Sequence, residues 1–280
     1  MTRPDFLIIG AMKSGTSTLA AQLSEQTGIF VTTPKEPNFF SDDDVHARGE
    51  GWYSGLFDAA VPGDLRGEAS THYTKLPTYP ETVARAQAVL QEPRLVYMIR
   101  NPIERAVSHF IHEWSQGVMT DNMTAEFARH PEFVDYGRYA MQIRPWIEAF
   151  GADAVHLTSL EAMQADPQGV LAEVAAFIGH AGSVAWVAAR ARENASAERV
   201  RRLPLHGLLV ESAPATWLRR TFVPKSLRAR IRASRQMHDR PDFPDTLRSA
   251  LEVTFAEDYA ELRALFPRHS RLDASYPFFS

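Results

Sequence analysis

The stretch DFLIIGAMKSGTST, residues 5–18, decides how this chain folds. Residues 5–10 form a short apolar run typical of a buried strand, and a Gly- and hydroxyl-rich turn then leads into a helix. Backbone N–H groups at such a helix N-terminus point at a bound anion, the helix dipole favours negative charge, and Lys13 adds a positive charge. The stretch therefore predicts a strand–loop–helix unit that holds a phosphate group.

The loop departs from that of the nucleotide triphosphatases in one position. Gly10 and Gly15 have the G-x-x-x-x-G spacing, but Thr16 stands where those proteins need a lysine, and the lysine lies inside the loop as Lys13. Such a loop can hold a 5′-phosphate and is poorly suited to a Mg²⁺-bound triphosphate. A P-loop kinase or nucleotide-binding protein that uses ATP stays open as an alternative, and it predicts dependence on ATP and Mg²⁺.

A second segment, RLVYMIRNPIERAVSHF at residues 94–110, also predicts a phosphate site. It reads as an apolar strand that ends at Arg100, followed by a helix that Pro102 begins. Arg100 offers a planar guanidinium fork to a phosphate, and Ser108 adds a neutral donor on the helix. Two such motifs on neighbouring strand–helix units suit a nucleotide that carries phosphate at both ends.

These two segments resemble the 5′- and 3′-phosphate motifs of sulfotransferases that use 3′-phosphoadenosine 5′-phosphosulfate (PAPS), in a bacterial-type form close to the heparan sulfate branch. Specific motifs cover the first 160 residues, and the remaining 120 match only in general pattern. The resemblance implies one α/β domain over residues 1–280, with a central parallel β-sheet flanked by helices in a P-loop-NTPase-like fold. It also implies PAPS as co-substrate, 3′-phosphoadenosine 5′-phosphate (PAP) as product, and no metal.

The resemblance also assigns the nucleotide contacts. Lys13 would stabilise the leaving phosphate, and a loose match near residues 194–202 adds Arg201 as a third contact. Thr16 or Ser17 could equally cap the first helix. The full expected set of nucleotide-binding residues is Lys13, Ser14, Gly15, Thr16, Ser17, Thr18, Arg100, Ser108 and Arg201.

The segment KEPNFF, residues 35–40, resembles the Glu-x-x-Phe-Phe segment of the glycan branch, which implies that Glu36 is the catalytic base. The two following aromatic residues are expected to desolvate its carboxylate in part. The alternative is a loop carboxylate paired with Lys35 or Arg48.

His72, in GEASTHY at residues 67–73, is the second candidate for the base. The cytosolic branch of the family has a His base near this position, but here the spacing differs by one residue. Ala69 stands where the glycan branch has a second catalytic lysine. The role of that lysine is left to His72, to an arginine of the basic region, or to no residue. Glu68 could orient the loop.

Composition excludes several classes of protein. The chain has 280 residues, 45% of them hydrophobic, and no cysteine, so disulfides, thiolate metal sites and cysteine nucleophiles are excluded. No apolar run approaches the roughly 20 residues of a membrane span. The first strand begins almost at the N-terminus, leaving no room for a signal peptide, so we expect a cytoplasmic protein.

The net charge of −4 conceals a basic segment. Residues 186–240 carry 13 Arg and Lys against four Asp and Glu. We interpret them either as solvated helix faces or as a basic helical cap that binds an anionic nucleotide or acceptor, or meets a membrane surface.

Taken together, these features predict transfer of a sulfuryl group from PAPS to a hydroxyl of a small molecule, lipid or saccharide, less readily to an amine. No nucleic-acid partner is expected. A non-catalytic PAP-binding protein is the second alternative, and it predicts binding without turnover.

The apolar and capping patterns also predict secondary structure. Strands are expected over 5–10, 65–70, 94–100 and 154–157, and helices over 16–26, 80–90, 102–116, 139–150, 168–178 and 244–265.

Overall fold

Five parallel strands form one sheet in the computed structural model, which describes residues 2–191 and 243–279. In chain order the strands are β1 (Phe6–Gly10), β2 (Ile29–Val31), β3 (Leu65–Ala69), β4 (Arg94–Ile99) and β5 (Val155–Ser159). Their order in the sheet is β2-β3-β1-β4-β5. The central strand β1 pairs with β3 on one side and β4 on the other, so that Phe6 lies between Gly67 and Arg94. The expected α/β class with a parallel sheet is confirmed.

Helices connect the strands and cover both faces of the sheet. The longer ones are α1 (Thr16–Ser24), α4 (Thr82–Val89), α5 (Pro102–Ser115), α8 (Tyr139–Phe150), α10 (Pro167–Phe177) and α12 (Asp245–Leu265). The shorter ones are α2 (Asp43–His46), α3 (Gly49–Gly55), α6 (Met123–Arg129), α7 (Glu132–Asp135), α9 (Leu160–Ala165) and α11 (Ala188–Ala191), and a 3₁₀ turn spans Thr71–Thr74.

Alternation along β1 distributes its side chains between two cores. Phe6 and Ile8 pack with α1 and α10 on one face, whereas Leu7 and Ile9 pack with the aromatic residues of α3 and α8 on the other. Every residue of β1 is buried, as expected of a central strand in a sheet covered on both faces. A third cluster joins α5 to α12.

The predicted long elements are confirmed to within a few residues at each end, and the helix over 139–150 matches at both ends. Of the short helices, α2, α6, α7 and α11 were not predicted. The acidic stretch 41–50 contains α2, whose first turn Asp42 caps by accepting from Val45 N. Arg201 and residues 192–240 of the basic segment lie outside the described residues. No helix in the described ranges combines the length and apolar character needed to cross a membrane.

The close pairing of β1 with β3 predicts that a side chain at Gly67 lowers stability. A Cβ atom there would lie 2.1 Å from the Phe6 ring, which is fully buried and cannot move aside. We expect Gly67→Ala to lower the free energy of unfolding by about 1–3 kcal/mol in urea denaturation.

Gly51→Ala is the matched control, because Gly51 lies in α3 with nothing within 4 Å of its added Cβ. It should raise the free energy of unfolding by up to about 1 kcal/mol. Equal effects of the two substitutions would contradict the packing argument.

Candidate functional site

All five strands end at the same edge of the sheet, because all their pairings are parallel. The loop after β1 carries Lys13, the loop after β2 carries Glu36, and the residue after β4 is Arg100. Ligands of open α/β sheets bind beyond this edge. The fold therefore brings the predicted site residues together although they are far apart in sequence.

The loop after β1 presents an uncapped helix. Gly15 occupies the N-cap position of α1 with a φ of 90°, and no side chain caps the helix. The interpretation of Thr16 or Ser17 as a cap is therefore wrong. Because the first N–H groups of a helix have no partners within it, they are directed toward the loop. Ser14 and Thr16 are buried, whereas Ser17 is exposed.

The beginning of this loop packs tightly against the segment after β3. The Thr74 hydroxyl donates to the Ile9 carbonyl at 2.9 Å. A Cβ atom on Gly10 would lie 1.9 Å from that hydroxyl oxygen, so only glycine fits. The contact joins the phosphate loop to the segment that carries His72.

The two phosphate motifs meet at Arg100. Its Nη1 donates to the Lys13 carbonyl at 3.4 Å, and its Nη2 lies 3.5 Å from Glu104. The Tyr139 hydroxyl donates to the Arg100 carbonyl at 2.8 Å and anchors the end of β4. Ser108 lies two turns along α5 from Arg100 and is half-buried. The guanidinium therefore lies beside the loop that is predicted to hold the first phosphate.

Glu36 is held against the end of β3. Its own N–H donates to the Ala69 carbonyl at 3.0 Å, and its carboxylate accepts from Thr71 N at 2.7 Å. The carboxylate also pairs with Lys35, the partner that the sequence left as an alternative. Arg48, the other suggested partner, lies 4.0 Å from the centre of the Trp52 ring.

The two phenylalanines of this loop have a different role from the one expected. Phe39 and Phe40 are fully buried in the hydrophobic core, where Phe39 stacks on Tyr53 with ring centres 4.3 Å apart. The Glu36 side chain keeps 30% of its surface exposed. The aromatic pair anchors the loop and does not exclude water from the carboxylate.

Lys13 and Glu36 share an uncommon backbone conformation. Their φ angles are 68° and 61°, in the left-handed region that residues other than glycine rarely adopt. Such backbone strain clusters at functional sites, where surrounding structure maintains it. Contacts with Arg100 and Thr71 hold these two residues in place.

His72 stacks on Tyr79, with ring centres 4.8 Å apart. Burial, with the Lys75 charge as a smaller cause, lowers the pKa of His72 to about 4. The imidazole is therefore neutral at pH 7 and supplies no positive charge there.

Glu68 is a buried carboxyl that organises the segment after β3. It accepts from the hydroxyls of Tyr53 at 2.8 Å, Tyr73 at 2.6 Å and Ser70 at 2.8 Å. The Ser70 oxygen in turn accepts from Asn38 N at 3.1 Å. Burial raises the pKa of Glu68 to about 7. These contacts give Glu68 the orienting role that the sequence suggested.

Sequence reasoning missed two residues near the site. Arg105 is a fully buried arginine on α5, and Lys75 is almost completely buried after the 3₁₀ turn. The apolar stripe of α5 indicated its buried face but not that Arg105 shares it. No sequence signal marked Lys75. Among the residues that the structure covers, no cluster of His, Asp and Glu could hold a metal ion.

Comparison with known proteins identifies the family. The family model for the sulfotransferase domain matches residues 3–209. Mouse heparan sulfate glucosamine 3-O-sulfotransferase 6 is 27% identical over 184 residues, which are 63% of this chain and 52% of that protein. The membrane-associated sulfotransferase kil1 of Dictyostelium discoideum is 33% identical over 116 residues, covering 40% of this chain and 24% of that protein. The chain thus spans about half the length, or less, of these curated relatives.

A solved structure extends the similarity over the whole chain. The crystal structure of a sulfotransferase from Alicyclobacillus acidocaldarius superposes with a TM-score of 0.67 at 26% identity, covering 96% of this chain and 97% of that one. A sulfotransferase domain from the Synechococcus PCC 7002 olefin synthase shares the fold, with a TM-score of 0.50 at 14% identity over 92% of this chain and 95% of that one.

The buried Glu68 carboxyl predicts a pH-dependent stability. Its folded pKa of about 7 lies above the ordinary value of 4.5, so between these values the folded protein binds a proton that the unfolded chain does not. Its stabilising contribution is therefore complete below about pH 4.5 and is lost as pH rises through 7.

Glu68→Gln removes this titration. We expect the difference in unfolding free energy, variant minus wild type, to increase between pH 5 and pH 8 in urea denaturation. Parallel pH profiles for the two proteins would contradict the assignment.

Proposed function

Because this chain belongs to the sulfotransferase family, we propose that it transfers a sulfuryl group from PAPS to a hydroxyl of a small-molecule, lipid or saccharide acceptor and releases PAP. One observation carries the proposal: Lys13, Glu36 and Arg100 meet at the carboxyl edge of the sheet. The relatives named as heparan sulfate glucosamine 3-O-sulfotransferases support a saccharide hydroxyl as the first acceptor to test.

The loop after β1 fits the 5′-phosphosulfate end of the donor. The uncapped N-terminus of α1 offers backbone N–H groups, and residues 14–18 add hydroxyl donors. In this proposal Lys13 lies beside the bridging oxygen and stabilises the negative charge that develops on the leaving phosphate. No metal is required for this role, since a sulfuryl group carries less charge than a phosphoryl group.

Arg100 and Ser108 fit the 3′-phosphate end. The guanidinium is four-fifths buried and held by the Lys13 carbonyl and Glu104, so its orientation is set before a nucleotide binds. Arg201, the third proposed nucleotide contact, lies outside the described residues and stays a prediction.

Glu36 is the proposed base that accepts the proton of the acceptor hydroxyl. Thr71 N–H and Lys35 orient its carboxylate, and nearly a third of its surface faces solvent, where an acceptor could approach. His72 remains the second candidate. Burial lowers its pKa to about 4, so the imidazole is neutral near pH 7.

The other interpretations make different predictions. A kinase would need a lysine at Thr16, and a non-catalytic PAP-binding protein would bind PAP without consuming PAPS. Localisation in the cytoplasm stays a prediction, and one relative is named as membrane-associated.

The Arg100 assignment predicts a loss of nucleotide affinity. A charge-assisted hydrogen bond contributes about 1.5–3 kcal/mol, so Arg100→Ala should weaken PAP binding about 10- to 100-fold in calorimetric titration. Arg144→Ala is the control, because Arg144 pairs with Glu261 and both side chains are exposed. Tighter binding of ATP with Mg²⁺ than of PAP would favour the kinase.

The Glu36 assignment predicts a loss of turnover without a loss of affinity. Glu36→Gln should slow PAP release from PAPS about 10²- to 10⁴-fold in the presence of phenols, lipids or glucosamine oligosaccharides, because the amide cannot accept the proton. PAP affinity should stay within threefold of wild type.

Glu81→Gln, at an exposed position before α4, is the matched control and should leave turnover unchanged. Full activity of Glu36→Gln together with an inactive His72→Ala would assign the base to His72 instead.

A further inference from the structure

Lys75 is a buried lysine that pairs with no carboxylate among the described residues. Only 8% of its surface is exposed, and its Nζ lies 5.7 Å from the centre of the Tyr136 ring. Within residues 2–191 and 243–279, no carboxylate oxygen lies within 4.0 Å of this nitrogen. Buried lysines are rare unless paired, because desolvation penalises the charge. The burial of Lys75 therefore requires a role other than that of a charged surface residue.

The segment that carries Lys75 contacts both the proposed base and the phosphate loop. Thr71, four residues earlier, donates to Glu36, and Thr74, the preceding residue, packs on Gly10 and bonds to the Ile9 carbonyl. The next residue is also fixed, since the Gln142 amide bonds to both the N–H and the carbonyl of Leu76 at 2.7 and 2.8 Å. Lys75 thus extends from a backbone that is fixed on both sides by hydrogen bonds.

Charged groups from several elements face Lys75. Burial lowers its pKa to about 8, and the opposing attraction comes first from Glu36, on the loop after β2, and then from Glu113, on α5. Arg105 on α5 and Lys35 on the loop after β2 repel it. The neighbouring imidazoles, His72 on the 3₁₀ turn and His109 on α5, have lowered pKa values and are neutral at pH 7, and Lys13 acts on His109 as well.

Sulfuryl transfer needs hydrogen-bond donors or positive charge directed at the transferring group. The sulfur–oxygen bond to the phosphate breaks with its electron pair leaving on PAP, a new bond forms to the acceptor oxygen, and the acceptor proton goes to Glu36. The three peripheral sulfuryl oxygens carry negative charge throughout, and fixed donors directed at them lower the barrier. Ala69 offers no such donor, and the neutral His72 offers no charge.

We propose that Lys75 is a further catalytic residue, whose ammonium group contacts the peripheral oxygens of the transferring sulfuryl group. This inference rests on the proposed function. It assigns to Lys75 the positive charge that Ala69 cannot supply. A lysine that only packed against Tyr136 would leave transfer unaffected when its charge is removed.

Kinetics of Lys75→Met and Lys75→Arg test the proposal, with PAP release from PAPS as the readout, including release to water alone. We expect Lys75→Met to lower kcat about 10²- to 10³-fold. Its affinity for PAP should stay within threefold of wild type, because PAP lacks the sulfuryl group. Arg144→Met, at the exposed pair with Glu261, should match wild type in both measurements.

The pH profile separates charge from packing. The pKa of Lys75 is lowered to about 8, so its ammonium group loses its proton and wild-type activity should decline as pH rises through that value. Lys75→Arg keeps its charge. This variant should have at least a tenth of wild-type activity and show no decline up to pH 9. Melting temperatures show whether Lys75→Met folds. If it does not fold, the pH profile of Lys75→Arg tests the proposal by itself.

Two outcomes are distinguishable. A wild type that neither binds PAP nor releases it from PAPS overturns the proposed function together with this inference. A wild type that turns over PAPS, alongside a Lys75→Met variant with equal kcat or a Lys75→Arg variant with an unshifted pH profile, overturns the role of Lys75 alone.

Discussion

The close approach of Gly10 to Thr74 is the constraint on which the candidate site depends. Parallel pairing of β1 with β3 brings their carboxyl ends side by side, and the missing Cβ of Gly10 lets the Thr74 hydroxyl reach the Ile9 carbonyl. The phosphate loop and the segment with His72 and Lys75 are therefore in contact before any ligand binds. Catalysis by proximity and orientation requires such a rigid arrangement, because small displacements of the reacting groups lower the rate.

A buried carboxyl stabilises the other side of this arrangement. Glu68 gathers three hydroxyl donors, and one of them, Ser70, also accepts from the backbone of the loop that carries Glu36. The proposed base is thus oriented through a chain of hydrogen bonds that begins in the core. Each side chain of this hydrogen-bond network has a partner. A buried network with an unpaired member would be costly.

The electrostatics of the edge favour an anion. Lys13, Arg100, Lys75 and the buried Arg105 lie around it, and the nearby imidazoles are neutral at pH 7. Desolvation and mutual repulsion lower the pKa values of the buried Lys75 and Arg105, and the negative charge of a bound phosphosulfate would oppose both effects by attraction. This accumulation of buried positive charge is consistent with a donor that carries charge on both ends of a nucleoside.

The sequence by itself determined the strand–loop–helix units, the α/β class and the two phosphate motifs, because those signals are local: apolar runs, glycine spacing and helix-start residues within about 15 positions. Only the tertiary structure decided that α1 begins at Gly15 without a side-chain cap, that the two phenylalanines lie in the core, and that Lys75 is buried within reach of the Glu36 charge. These outcomes depend on packing between segments distant along the chain. Burial and charge proximity, which set the protonation of His72 and Lys75, arise only from that packing.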